Sequence, residues 1–242
     1  MPNTGLKQKI SRGDTVLGCR INLGTTRDEF AAAVQSDSYE FVCFDGQHFP
    51  YSDQAAVDFC HLAEEFDMPV GMRIKHPREA YLLGNYLDLG VTSMEVPLTE
   101  SESTAREAVT NFYYPPLGRR SYGGVYRRQA TDFDSSDIRG YADWWNGTGV
   151  LWLQIESLAG VMNAHQLALD GVDCLSFGPS DLTLDIESHP NPRYTTVEQC
   201  VAAVGEAVFP DTALCFRSDR AERQKWADLG VTVFLEPPSH AV

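Results

Sequence analysis

The chain has 242 residues, 43% of them apolar, and 34 acidic side chains outweigh 19 basic ones to a formal charge of −15. That length fits one large domain or two small ones, and the apolar fraction excludes a disordered chain. No apolar run approaches a bilayer span, the first residues (MPNTGLKQKISRGD) lack the apolar stretch of a secretory signal, and an acidic chain without a basic stripe is a poor partner for nucleic acid or anionic membrane. The expectation is a cytoplasmic protein that acts on small molecules. Six cysteines, Cys19, Cys43, Cys60, Cys174, Cys200 and Cys215, form no C-x-x-C pair, and four fall in apolar runs. They read as reduced core residues, not as a disulfide frame or a zinc site.

Taken in chain order, residues 16–22 read as a strand, followed by a helix over 27–35 that Thr26 and Glu29 open with a capping box. A strand at 41–44 leads to a helix over 53–66 capped by Ser52, then a strand at 70–73 and a helix over 77–87. A strand at 93–96 and a helix over 101–112 follow. Residues 113–148 break the rhythm: they hold YYPPLGRRSYGG and a short helix around 137–145. Either Arg119 and Arg120 make this loop a lid or subunit contact over an anionic substrate, or it is a surface turn held by aromatic packing. The alternation resumes with strands at 150–155, 174–177, 213–216 and 231–235 and helices over 158–169, 197–209 and 219–229. Strands alternating with helices and no break in composition predict one domain over 1–242, an α/β (β/α)8 TIM barrel. The competing open doubly wound sheet would carry a glycine-rich phosphate turn after its first strand, and GCRINLGTT is not one. Only seven residues follow Leu235, so the C-terminal helix is expected to be reduced or absent.

A barrel of this kind carries its chemistry at the C-terminal ends of the strands. The second strand ends there in Asp45-Gly46-Gln47-His48, the third in Arg73, the fifth delivers Gln154 and Glu156, and the sixth runs into Gly178-Pro179-Ser180-Asp181. Glu156 and Asp181 offer hard oxygen ligands suited to Mg²⁺ or Mn²⁺; alternatively each caps the helix after its strand. Arg73 offers a fork for a substrate carboxylate, or forms a salt bridge with Asp45. His48 is suited to general-base work, or is merely solvated.

FDGQHFPYS, the Arg73 strand, MEVPLTESESTAREAV, YYPPLGRRSYGG, QIESLAGVMNA and GVDCLSFGPSDLT together resemble, in this order, the HpcH/HpaI aldolase family. These are metal-dependent (class II) pyruvate aldolases on a modified TIM barrel, usually hexameric. The resemblance implies a carbon–carbon lyase that reversibly cleaves a 2-oxo-3-deoxy (hydroxy) acid to pyruvate and an aldehyde through a metal-stabilised enolate. It further implies a homo-oligomer (trimer or hexamer) and a divalent metal ion, Mg²⁺ or Mn²⁺ with Co²⁺ admitted. Glu156 and Asp181 are then the metal ligands. Arg73 and Gln154 hold the carboxylate and enolate oxygen of pyruvate, with backbone N–H groups around Gly178, Pro179 and Ser180 at a helix N-terminus. His48 is the base, oriented by Asp45, and Asp88 in LDLG matches an acid that a neighbouring subunit contributes. No lysine is needed for a Schiff base, and Lys75, the nearest, has no evident apolar pocket. Three departures stand out: Gln47 where a glutamate is common, Glu95 where an apolar residue is common, and the short C-terminus. They keep two other readings open, oxaloacetate decarboxylation at the same enolate site and a non-catalytic binding protein on an aldolase scaffold.

Overall fold

A computed structural model describes residues 5–123, 134 and 136–238. Eight parallel strands close into one barrel in sequence order: β1 (Val16–Arg20), β2 (Phe41–Asp45), β3 (Val70–Arg73), β4 (Ser93–Val96), β5 (Val150–Ile155), β6 (Cys174–Phe177), β7 (Ala213–Arg217) and β8 (Val233–Glu236). β8 pairs with β1 to complete the ring, Val16 lying opposite Val233. Around it run α1 (Gly5–Ser11), α2 (Arg27–Gln35), α3 (Asp53–Glu64), α4 (Leu83–Leu87), α5 (Glu102–Phe112), α6 (Ile138–Asn146), α7 (Leu158–Met162), α8 (Ala164–Leu167), α9 (Pro179–Ser188), α10 (Val197–Val208) and α11 (Arg223–Ala227). The expected TIM barrel is the observed fold, and among the described residues no helix follows β8. No described helix is long and apolar enough to cross a membrane, and all six cysteines are buried and free.

Because alternate strand residues face opposite sides of a sheet, each strand feeds two cores. Leu17, Cys19, Val42, Phe44, Leu151 and Leu153 pack outward against the helices. Val16, Phe41, Cys43, Val150, Trp152, Cys174, Cys215 and Val233 face the axis and fill the lower part of the barrel, where Leu6 and Ile10 of α1 join them. The short α1, not anticipated from the sequence, therefore closes the barrel floor. Its Lys7 Nζ is anchored by the Tyr113 hydroxyl at 2.8 Å, the Gly149 carbonyl at 2.9 Å and Asp173 Oδ2 at 2.8 Å.

The predicted capping box on α2 is present: the Thr26 amide donates to Glu29 Oε2 at 2.8 Å, and the Glu29 amide to Thr26 Oγ1 at 3.4 Å. Thr26→Ala is expected to cost about 1 kcal/mol in urea unfolding, with the slope of the transition unchanged.

Four expected helices are shorter or broken. The segment 158–169 divides at Asn163, whose side chain turns to donate to the Glu100 carbonyl at 2.8 Å. Residues 77–82 and 220–222 tighten into 3₁₀ turns before α4 and α11. Helix α3 stops two residues early because Asp67 adopts a left-handed backbone, φ 54°.

The long connection is corrected more substantially. It starts where α5 ends and finishes where β5 begins, so both its ends lie at the floor, opposite the strand C-termini. Its described part is held by aromatic packing, with Tyr114 against Tyr122 and Tyr141 at ring separations of 6.1 and 5.9 Å. Arg120 lies buried over the Trp145 ring at 4.5 Å and ion-pairs with Asp88 at 2.6 Å. It does not close over the mouth of its own barrel. Residues 124–133 of this loop fall outside the described residues.

Candidate active site

Strand parity decides which side chains reach the mouth. Above Phe41 and Cys43 stands Asp45, above Gly71 stands Arg73, above Trp152 stands Gln154, and above Cys174 stands Ser176. Arg73 is buried and donates through Nε to Asp45 Oδ1 at 3.0 Å, through Nη2 to Asp45 Oδ2, and through Nη1 to Gln154 Oε1 at 3.2 Å. The Asp45 salt bridge weighed as an alternative is thus present, yet two of the five guanidinium N–H groups, one on each terminal nitrogen, remain for a ligand. Burial works against ionisation of Asp45, but the Arg73 pair, the Gln47 amide and nearby His48 outweigh it and keep the carboxyl below its usual range.

Glu156 is buried, accepts the Leu98 amide at 2.9 Å through Oε2, and lies 3.9 Å from Arg73 through Oε1. Burial first, then the neighbouring Glu95 charge, push its carboxyl up to about 7, against the pull of the Leu98 amide and Arg73. It does not cap the helix after its strand; Ser157 does, accepting the Gly160 amide at 3.2 Å. Asp181 is exposed in the first turn of α9, and its charge adds to the upward push on Glu156.

Between these groups lies Gly178. A Cβ there would stand 2.4 Å from Glu156 Oε1 and 2.9 Å from Gln154 Nε2, so only glycine lets the turn after β6 pack this closely against both side chains. Gln154 Nε2 is buried with no hydrogen-bond partner. An orphan donor next to an electron-rich carboxylate pair, with an arginine on the far side, is an arrangement short of an oxyanion and a cation. Among the described residues no group of three or more His, Cys, Asp or Glu is gathered. Glu156 and Asp181 offer carboxylate oxygens of the kind a hard cation takes, and a cation held by them would draw its other positions from substrate and water.

The sequence profile of the HpcH/HpaI aldolase/citrate lyase family matches residues 23–213. The chain belongs to this family. Among curated relatives it is 33% identical over 193 residues to a hydroxypyruvate/pyruvate aldolase of Roseovarius nubinhibens, covering 76% of this chain and 70% of that one. It is 26% identical over 200 residues to a 2-keto-3-deoxy-L-rhamnonate aldolase of Salmonella schwarzengrund, covering 81% and 72%. A solved HpcH/HpaI aldolase from Desulfitobacterium hafniense superposes with a TM-score of 0.81 at 25% identity, over 96% of this chain and 89% of that one.

Against this family frame, the barrel brings Asp45, Arg73, Gln154, Glu156 and the Gly178–Asp181 turn to one mouth, with His48 exposed on the turn beside Asp45. Two expectations change. The backbone donors cannot be Gly178 and Pro179, because the Gly178 amide is spent on the Ile155 carbonyl at 3.0 Å and proline has none. The free first-turn amides are those of Ser180 and Asp181. Asp88 caps α4 at the barrel floor and, among the described residues, pairs with Arg120 and meets no histidine there. Lys75 is exposed and lies over the Tyr51 ring at 4.8 Å.

The sequence reading passed over Arg217. This residue ends β7 as Arg73 ends β3, and it is ion-paired with the buried Glu95, which also accepts from Ser176 Oγ. Glu95 is thus the counter-ion of a second buried arginine, and it is also the charge that lifts Glu156. The rule that singled out Arg73, an arginine closing a buried apolar run, would have found Arg217 too.

Proposed function

We propose that this protein is a divalent-metal-dependent aldehyde-lyase that reversibly cleaves a 2-oxo-3-deoxy (hydroxy) acid to pyruvate and an aldehyde. The observation that carries the reading is the buried, unpartnered Gln154 amide packed with Glu156 against the Gly178 turn. The two curated aldolase relatives support the pyruvate class of substrate.

Glu156 and Asp181 are the residues that would hold Mg²⁺ or Mn²⁺, with Co²⁺ a third candidate. Such a cation supplies Lewis acidity to a keto oxygen. The remaining Arg73 N–H groups and the amides of Ser180 and Asp181 bind the substrate carboxylate, helped by the positive end of α9. Gln154 Nε2 donates to the keto oxygen, where negative charge grows as the carbon–carbon bond breaks. His48 takes the proton of the aldol hydroxyl in cleavage and returns it in condensation, with Asp45 beside it. Asp88 could serve His48 only from a second copy, which makes a homo-oligomer, trimer or hexamer, part of this reading.

The test is the exchange of pyruvate methyl protons with D₂O, followed by NMR over Mg²⁺, Mn²⁺ and Co²⁺. Exchange is expected with at least one cation and is expected to vanish on chelation. Exchange that persists in EDTA would remove the metal from the reading, and none with any cation would remove the enolate and leave a binding scaffold. Release of CO₂ from oxaloacetate without any aldehyde addition would favour the decarboxylase alternative.

A further inference from the structure

We propose that Arg20, beside Arg217, forms an anion subsite at the barrel mouth that receives a carboxylate or phosphate on the aldehyde half of the substrate. The proposal rests on the aldolase reading above and names the substrate class that this site prefers.

Arg20 ends β1 two residues above Gly18 and four above Val16, on the parity that faces the axis. A single cleft is lined by Arg20, Arg73 and Arg217, together with Asp45, Phe49, Leu235 and Pro237. Arg73 thus belongs both to this cleft and to the keto-acid site. A substrate anchored at Arg73 has its remaining length directed toward the β7, β8 and β1 side.

The charges in the cleft are unequally satisfied. Arg73 is spent largely on Asp45, and Arg217 on Glu95. Arg20 makes no hydrogen bond or ion pair with any described residue. Its side chain is exposed at the strand end, where the like charges of Arg217 and Arg73 are unfavourable and the opposite charge of Asp219 favourable. The remaining carboxylate on the cleft wall, Glu29, is locked by the amide and hydroxyl of Thr26 at 2.8 and 2.7 Å in the α2 capping box. The cleft thus holds three arginines, of which the exposed Arg20 keeps its guanidinium donors free for an anion arriving from solvent. An arginine fork supplies directional donors to a carboxylate or phosphate oxygen pair, and phenyl and prolyl walls at Phe49 and Pro237 suit the short carbon chain in between.

The experiment measures kcat/KM for addition of pyruvate to matched aldehydes: 4-oxobutanoate against butanal, and glyceraldehyde 3-phosphate against glyceraldehyde. The wild-type protein is expected to prefer at least one charged member by about tenfold or more, and the pair that shows it tells carboxylate from phosphate. R20Q is expected to lower kcat/KM for the charged member about tenfold more than for its neutral partner, mainly through KM, with R20K intermediate. Equal losses for both members, or no wild-type preference in either pair, would overturn the subsite. Calorimetric titration with succinate keeps the two readings apart. Succinate binding that weakens about tenfold in R20Q supports the subsite even where pyruvate exchange fails, and equal binding to both proteins overturns it.

Discussion

Glu156→Gln is expected to reduce cation-dependent exchange of pyruvate methyl protons by about 10³-fold, while the protein stays folded. The substitution keeps the volume of the side chain and its acceptor for the Leu98 amide, but removes the buried charge that faces Gly178. The pH behaviour should change with it. The carboxyl holds its proton up to about 7 because burial and Glu95 disfavour the charge. A cation must displace that proton, so wild-type cation affinity should rise about tenfold per pH unit below 7 and level off above it, whereas in E156Q this slope is lost. Stability follows the same group with a definite sign. The folded protein keeps the proton from the ordinary value of 4.5 up to about 7, so this contribution is present below 4.5 and is lost as pH rises through 7. Melts in EDTA should therefore show wild type losing up to about 3 kcal/mol relative to E156Q between pH 5 and 8. Parallel curves for the two proteins would place the titration elsewhere.

The largest loss of stability is expected from Gly18→Ala. A methyl group at residue 18 would stand 2.1 Å from the Phe41 ring tip and 2.5 Å from its flanking carbons. Phe41 cannot swing aside: it is 1% exposed, tilted against Trp152 at a ring separation of 5.4 Å, and surrounded by the barrel interior. Relief requires strand β1 or β2 to shift, and their register is shared around a closed ring. The expected cost is about 3 kcal/mol or more, a fall in melting temperature of about 6–12 °C for a chain of this size. The double variant Gly18→Ala with Phe41→Leu should recover about half of that loss. A cycle in which the two changes simply add would mean that residue 18 and Phe41 do not compete for the same space.

The strands were legible because each is a short apolar run feeding two cores: the bounds at 70–73, 93–96, 150–155 and 174–177 match the structure residue for residue. Helix interiors were less legible. The apolar spacing of 158–169 continues past Asn163, and only the tertiary bond to Glu100 breaks the helix there. The mouth was readable in Asp45, Arg73, Gln154 and Glu156, since each closes or follows a strand. Arg20 and Arg217 obey the same logic, but Arg20 lay inside a strand drawn two residues too long and Arg217 just beyond one drawn a residue too short. Of the two readings of the loop from Tyr113, the turn held by aromatic packing fits its described part, and the lid over its own barrel mouth does not. Its position between a helix and the next strand already assigns it to the floor.

The packed lower tier, with Phe41 over Gly18 and Leu6 and Ile10 beneath, also acts as an electrical insulator. With a mainly apolar tier under them, in which the Ser93 hydroxyl and the Trp152 indole N–H are buried polar groups, the mouth charges are not screened by solvent from below, and their field lines leave mainly along the axis toward solvent. Salt in the medium attenuates that field within about 8 Å of bulk water, yet reaches it from one direction only. A chain of formal charge −15 can thereby still present one unpaired positive group, Arg20, to an approaching anion. The local potential at the opening, not the total charge, then governs which solutes arrive.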